Sequence, residues 1–474
     1  MSNNILILLS SLFIMFVPFL YSFIQSKKQG VSADDWAVGG RDLPTYVIVG
    51  TQFASAMGGG VLVALVGRGY SLGLSTVTYG IAASIPFFVL MLLAPWIRSR
   101  NFTTIPDILE DFYGENKVLS ILGAFFALIV PFGWITSQLG AFGILYSGIT
   151  GIPAPILIIS ISVISLFFIM PSGLKTVAWT DFIFACFMII VCGISIYFAI
   201  RMGGGTSAIF NSPNVPIENI SIPGGFVSVG WVTVALWFTS ALPGGCTNQI
   251  YYQRICSIKD PKKVNLSLFL SGISLIVAIV WAYLMGTAVR SLNPNLPNGE
   301  GATAWFMAQL PTWLLVLFAG LVCAVIMSTI SSAAQTTVTN MTTDIYKKSI
   351  NPKVTDKQMI KMSRILTVIL MAVTSMLSIA FPNVLGWLVY TYAFSAAGLF
   401  GPIFVGYFTK ETKPFNATTV LASMIIAMVV CVIAKLTGSF GTPIPFTIFG
   451  LIASVLTMLI AKPYQKNDEM KKAV

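Results

Sequence analysis

The chain has 474 residues, of which 56% are hydrophobic and 9% charged, with a formal net charge of +11 and no histidine. Soluble domains of that size do not have this composition, and too little polar sequence is left over for a separate soluble enzyme. The missing histidine also removes the commonest metal ligand and the commonest proton relay near neutral pH.

About thirteen apolar runs are long enough to cross a bilayer, at about 20 residues per helical crossing. They are expected at 3–25, 43–66, 72–97, 118–147, 152–170, 177–200, 228–250, 266–289, 312–345, 360–380, 384–408, 416–434 and 444–461. The sequence thus reads as an all-α membrane protein, one integral domain over 1–474. The first run has no basic flank before it and no small-residue cleavage site after it, so it reads as a retained leader helix and not a signal peptide.

Lys27, Lys28 and Arg41 follow the first span, Arg98, Arg100 and Lys117 the third, and Lys175 the fifth. Arg254, Lys259, Lys262 and Lys263 follow the seventh, and Lys347, Lys348, Lys353, Lys357, Lys361 and Arg364 the ninth. Lys410 and Lys413 follow the eleventh, and Lys462, Lys466, Lys471 and Lys472 the last. The intervening connections hold only Arg68, Arg201, Arg290 and Lys435. This alternation follows the positive-inside rule and places the N-terminus outside and the C-terminus in the cytoplasm of a cell membrane crossed many times. The basic residues accordingly read as topology signals and contacts to lipid phosphates, with no nucleic-acid partner.

The second span contains Phe53-Ala54-Ser55-Ala56-Met57-Gly58-Gly59-Gly60. Three consecutive glycines weaken a helix and free backbone groups. In the sixth span, Trp179-Thr180-Asp181-Phe182-Ile183 carries the one carboxylate of an apolar run, apart from Asp344 at the frayed end of the ninth. An intramembrane acid points to function; the competing expectation is an interfacial acid paired with Lys175. The seventh span reads Leu242-Pro243-Gly244-Gly245-Cys246-Thr247-Asn248, where proline removes a donor and two glycines permit an unwound turn.

Close helix packing would explain either glycine cluster singly. With the leader set aside, however, the two breaks fall at matching places in two five-helix repeats, 43–200 and 228–408, followed by trailing helices in 416–461. Paired interrupted helices in two halves point to a transporter's binding site. In the ninth span Ser328, Ser331, Ser332 and Gln335 share one face. Such a face suits Na⁺, a hard cation that takes oxygen ligands, with carbonyls freed at a helix break completing the shell.

Four segments, in this order and spacing, resemble the sodium:solute symporter family, which includes bacterial proline and pantothenate permeases and sodium/glucose cotransporters. They are Val38-Gly39-Gly40-Arg41-Asp42-Leu43, Ala178-Trp179-Thr180-Asp181, Tyr251-Tyr252-Gln253-Arg254, and Met327-Ser328-Thr329 running on to Asp344-Ile345-Tyr346-Lys347. The resemblance spans roughly Gly39 to Phe408. It implies a leader helix, a leucine-transporter-like 5+5 inverted repeat and two trailing helices. It also implies a main sodium site from the carbonyls of Ala54, Met57 and Val325 and the hydroxyls of Ser328 and Thr329. Some members have a second sodium site, which would fall here on Asp181, Ser328, Ser331 and Ser332.

The chain departs from the family's proline permease at Ala56 and Gly58, where that protein has aspartate and serine. The family's sialic acid transporters use an arginine on the third core helix, and no basic residue lies between Gly123 and Gly151. Ala56 and Asn248 stand where the choline transporters have tryptophans, with Trp134 alone keeping aromatic character. The expected substrate lining is Gln52, Met57, Gly58, Trp134, Gln138, Trp237 and Asn248, each of which also fits ordinary helix packing. The expected function is sodium-coupled import of a small organic solute by alternating access, with Na⁺ as the co-transported ion, the lipid bilayer as surroundings and no obligatory protein partner. The alternatives are a proton-coupled or uncoupled permease and a channel.

Overall fold

The computed structural model describes residues 7–16, 20, 24, 33–170, 173–412 and 415–460. Among the described residues the backbone is helical throughout, save for turns and one isolated parallel bridge between Leu43 and Ile258. Among the described residues eight helices are long and apolar enough to cross a membrane. Four further apolar helices, Ile7–Phe16, Ser75–Leu90, Ala154–Phe167 and Phe446–Ile460, are shorter. Length and composition alone thus give eight spans among the described residues, so the expected count of thirteen is not confirmed.

The helices that position the centre of the molecule are α1 (Thr45–Leu72), α2 (Ser75–Leu90), α3 (Ile105–Tyr113), α4 (Lys117–Thr150) and α5 (Ala154–Ile169). They continue with α6 (Leu174–Met202), α7 (Trp231–Cys246), α8 (Gln249–Ser257), α9 (Val264–Leu292) and α10 (Thr312–Asn340). Then follow α11 (Asp356–Ala380), α12 (Val384–Phe408), α13 (Ala417–Leu436) and α14 (Phe446–Ile460). Helix α1 packs on α6, α9 and α10; α7 packs on α2 and α12; α4 packs on α10 and α12; α13 and α14 pair with each other.

Residue size sorts these helices between core and lipid. The most apolar windows of α1 and of α10 with its extension to Ile350 are each 89% buried, whereas those of α6 and α13 are 33% buried. The buried helices are rich in Gly, Ala, Ser and Thr, which let backbones approach closely where no water drives association. Helix α6 instead turns Ile183, Ile189 and Ile190 outward. Past Asn340 the helix widens into a π-type segment, Met341–Ile350. Its Lys348 joins Asp107 and Glu110 of α3 at 2.6 and 2.8 Å.

Both expected helix breaks exist, and they differ. In α1 the break is a single residue: Gly58 has φ +29° and ψ 174°, and the helix resumes as a π-type turn over Gly60–Leu65. A positive φ of that kind suits glycine. In the second break, Pro243, Gly244 and Gly245 lie inside α7 and do not unwind it. The chain opens one turn later, at Thr247 and Asn248, and the Asn248 side chain caps α8 by accepting from the Ile250 amide at 3.1 Å. The two glycines serve packing: a Cβ on Gly244 would come within 2.6 Å of the Tyr392 backbone, and one on Gly245 within 2.4 Å of the Pro86 ring.

Candidate functional site

The α1 break faces the middle of α10. Ser328 Oγ donates to the carbonyls of Ala54 and Val325, both at 3.1 Å. Thr329 Oγ1 donates to the carbonyls of Ser55 at 3.0 Å and Val325 at 3.1 Å. These side chains are fully buried. Five oxygens from two helices thus converge without a formal charge. Of the expected main-site ligands, Ala54, Val325, Ser328 and Thr329 are brought together, and the Ser55 carbonyl joins them. The Met57 carbonyl accepts from the Gly60 amide across the break. Among the described residues no group of three His, Cys, Asp or Glu side chains gathers to hold a metal ion. Carbonyl and hydroxyl oxygens without formal charge are a donor type that a hard monovalent cation accepts.

Asp181 lies at a second cluster on the same interface. It is fully buried, and its Oδ2 accepts from Thr51 Oγ1 at 2.6 Å and Ser332 Oγ at 2.8 Å. Lys175 is not its partner; that ammonium sits 3.9 Å from Asp42. Ser331, also expected beside Asp181, turns its hydroxyl back to the carbonyls of Met327 and Ser328 at 2.8 and 3.1 Å, the common habit of serine in an apolar helix. Gln335 on the same face reaches the Trp36 carbonyl at 2.5 Å.

Arg254 belongs to this cluster and corrects the reading of it as a topology signal. Its side chain is fully buried, and its Nη2 donates to Ser332 Oγ at 2.6 Å and to Thr51 Oγ1 at 3.5 Å. Its Nη1 reaches Gln253 Oε1 at 3.2 Å and Thr336 Oγ1 at 3.4 Å. A run of four basic residues after a span invites the positive-inside reading. The contrary signal is local: Arg254 stands among Tyr251, Tyr252, Ile255 and Cys256, all buried. Asp344 is likewise buried and not frayed, accepting from Thr104 Oγ1 at 2.9 Å with Lys348 at 3.3 Å.

A cavity opens beside the α1 break, lined in part by Ser55, Ala56, Gly58, Tyr79, Trp134, Gln138, Tyr251 and Tyr392. Its volume is about 50 Å³, room for a few water molecules. Gly58, Trp134 and Gln138 of the expected lining are there; Gln138 Oε1 also accepts from the Gly59 amide. Gln52, Trp237 and Asn248 are used elsewhere. Gln52 Oε1 accepts from Ser271 Oγ at 2.5 Å, and Asn248 caps α8. Trp237 stacks under the Arg68 guanidinium, 4.5 Å from ring centre to carbon, with Tyr79 edge-on at 5.7 Å. Tyr79, Tyr251 and Tyr392 are lining residues that sequence reasoning missed. Tyr251 stands in the Tyr-Tyr-Gln-Arg segment, so a signal for it was present.

The chain matches the sodium:solute symporter family over residues 36–427. The chain belongs to the sodium:solute symporter family. It is therefore a transporter and not an enzyme, a multi-pass membrane protein that moves a small solute together with Na⁺. Among this symporter's relatives is the sodium/glucose cotransporter of Vibrio parahaemolyticus, 24% identical over 451 residues that cover 86% of this chain and 81% of that one. The osmoregulated proline transporter of Bacillus subtilis (strain 168) is 24% identical over 472 residues, covering 95% and 94%. The sodium/proline symporter of Escherichia coli (strain K12) is 24% identical over 449 residues, covering 90% and 88%. A solved Na⁺-coupled sialic acid symporter, in a substrate-bound outward-open state, shares the fold with a TM-score of 0.82 at 17% identity, covering 97% of this chain and 98% of that one.

Proposed function

We propose that this symporter imports a small solute without net charge, and that its sodium ion binds where α1 breaks against α10. The ligands assigned to the ion are the carbonyls of Ala54, Met57 and Val325 and the hydroxyls of Ser328 and Thr329, with the Ser55 carbonyl close by. The observation that carries this is the pair of α10 hydroxyls held at 3.0–3.1 Å from α1 carbonyls. Ser and Thr hydroxyls rotate freely about their C–O bonds. Turning their hydrogens away would present both oxygens, together with the carbonyls, to one cation.

The solute is assigned to the cavity beside the same break, which at about 50 Å³ would have to widen to admit it. Its lining offers four aromatic rings, the Gln138 amide and the backbone at Gly58, and no charged side chain. A solute with unbalanced charge would be buried there without a partner, which is costly. The relatives' solutes include proline and glucose, one zwitterionic and one neutral. Ala56, which lines the cavity where the family's proline permease has aspartate, argues against proline itself.

Ion and solute would then share the break. Sodium pins α1 to α10 and fixes the Gly58 backbone, which completes the solute cavity. By linkage the solute must raise sodium affinity by the same factor. Repeats over 43–200 and 228–408 rocking about this point would open the site to each side in turn. The basic-rich connections would face the cytoplasm of the cell membrane.

The test is thermal stability of the purified protein against a library of small solutes, in NaCl and in KCl. Ligands of the folded state raise apparent stability by mass action. A solute that stabilises in NaCl and not in KCl is the expected result. One that stabilises equally in both salts would overturn the proposed coupling at the break.

A further inference from the structure

Arg254 and Asp181 are both fully buried at the centre of a membrane protein. Two hydroxyls stand between them. Thr51 and Ser332 each donate to Asp181 Oδ2, at 2.6 and 2.8 Å, while each accepts from Arg254 Nη2, at 3.5 and 2.6 Å. A positive charge is thus already seated behind the carboxylate's own hydrogen-bond donors. It is held there from the other side, since Nη1 bonds Gln253 Oε1 at 3.2 Å and Thr336 Oγ1 at 3.4 Å.

We infer that Arg254 is a tethered cation that fills the role a second sodium ion would have at Asp181, so that this symporter binds a single sodium ion. Charge balance is the argument. One carboxylate and one guanidinium neutralise each other. A sodium ion added at Asp181 would leave a net positive charge in a dry interior, which is strongly disfavoured. It would also have to take Ser332 Oγ, the shortest hydrogen bond that Arg254 makes. Arginine keeps its proton under all ordinary conditions, so the tethered charge does not switch off by deprotonation. The single-ion count rests on the sodium site proposed at the α1 break; the exclusion at Asp181 does not.

The test counts radiolabelled sodium bound per chain by equilibrium dialysis, with sodium alone as the probe, in detergent-purified full-length protein. The wild type and Arg254→Lys should each bind one ion, because both keep the charge. Arg254→Gln should bind a second ion and should unfold at a clearly higher temperature in NaCl than in KCl, because Asp181 would then need sodium. Asp181→Asn combined with Arg254→Gln should return to one. These counts separate a tethered charge from a merely structural arginine, whose loss would lower stability without adding an ion.

Two ions on the wild type falling to one in the double variant would overturn the inference, as would a folded Arg254→Gln that binds no more sodium than the wild type. Should Arg254→Gln fail to fold, the wild-type and double-variant counts decide: equal counts support the inference and a lower count in the double variant overturns it. If the wild type binds no sodium while Arg254→Gln binds one, the site at the α1 break fails and the tethered cation stands.

Discussion

Two polar clusters share the α1–α10 interface four residues apart on α10, about 6 Å along the helix axis, yet they are built from opposite materials. Around Ser328 and Thr329 every oxygen is neutral and is a carbonyl or a rotatable hydroxyl. Around Ser332 a full negative and a full positive charge are locked through two hydroxyls. The neutral cluster can take up and release a cation at modest cost, since its groups satisfy one another when the ion leaves. The charged cluster is already balanced and resists any further charge. On the proposed assignment these neighbouring sites would divide the work, one exchanging an ion and one holding helices α1, α6, α8 and α10 in register.

The largest effect should come from unbalancing the charged cluster. Asp181→Ala leaves Arg254 buried without a counter-charge, a loss of about 3–5 kcal/mol. Asp181→Asn with Arg254→Gln should recover much of it, as read by thermal unfolding in detergent. Equal losses in single and double variants would show that the charges do not balance each other. Next comes the break that shapes the neutral cluster. Ala at Gly59 would put its Cβ 2.6 Å from the Ala141 Cβ, overpacking α1 against α4. The expected cost is about 1–3 kcal/mol with sodium-dependent stabilisation weakened; an unshifted unfolding temperature would contradict this close contact.

The second break should be less sensitive. Asn248→Ala removes the cap on α8 and should cost about 1 kcal/mol, with sodium stabilisation retained, because Asn248 touches neither cluster. The smallest effect is expected at the entry to α1, where Asp42 lies 3.0 Å from Lys259 on the surface. The hydrogen bond from Lys259 holds the Asp42 carboxyl below its ordinary value, against a small opposing effect of burial. Its contribution is complete above the ordinary carboxylate range and is lost as acid takes the pH down through the lowered value. Asp42→Asn should therefore cost less than about 1 kcal/mol near neutral pH and nothing in strong acid, measurable as converging unfolding temperatures.

The apolar runs and the basic alternation made the membrane class legible in the sequence, because bilayer thickness and backbone satisfaction leave few solutions, and the paired breaks pointed to a transporter; the family came from the resemblance of four short segments. Thr329 came only from that family resemblance, whereas the Ser328 hydroxyl was legible as part of a dense polar face with Ser331, Ser332 and Gln335 on a helix with nowhere polar to go. Arg254 was not, since a charge that follows an apolar span looks alike whether it meets lipid phosphate or turns inward to Asp181. Gly244 and Gly245 misled in the opposite sense: glycine serves both unwinding and close approach, and only the position of Tyr392 and Pro86 decides between them. The tyrosines of the cavity come from α2, α8 and α12, far apart in sequence, and no local pattern brings them together.

The central claim is that sodium binds where α1 breaks against α10, and it is tested most directly by titrating NaCl at constant ionic strength into the wild type and the Ser328→Ala/Thr329→Ala variant while following thermal stability. The account predicts a saturable sodium-specific rise for the wild type and its loss, or a shift of at least about tenfold in midpoint (about 1.4 kcal/mol), in the variant. An unchanged sodium titration in a folded double variant would contradict it.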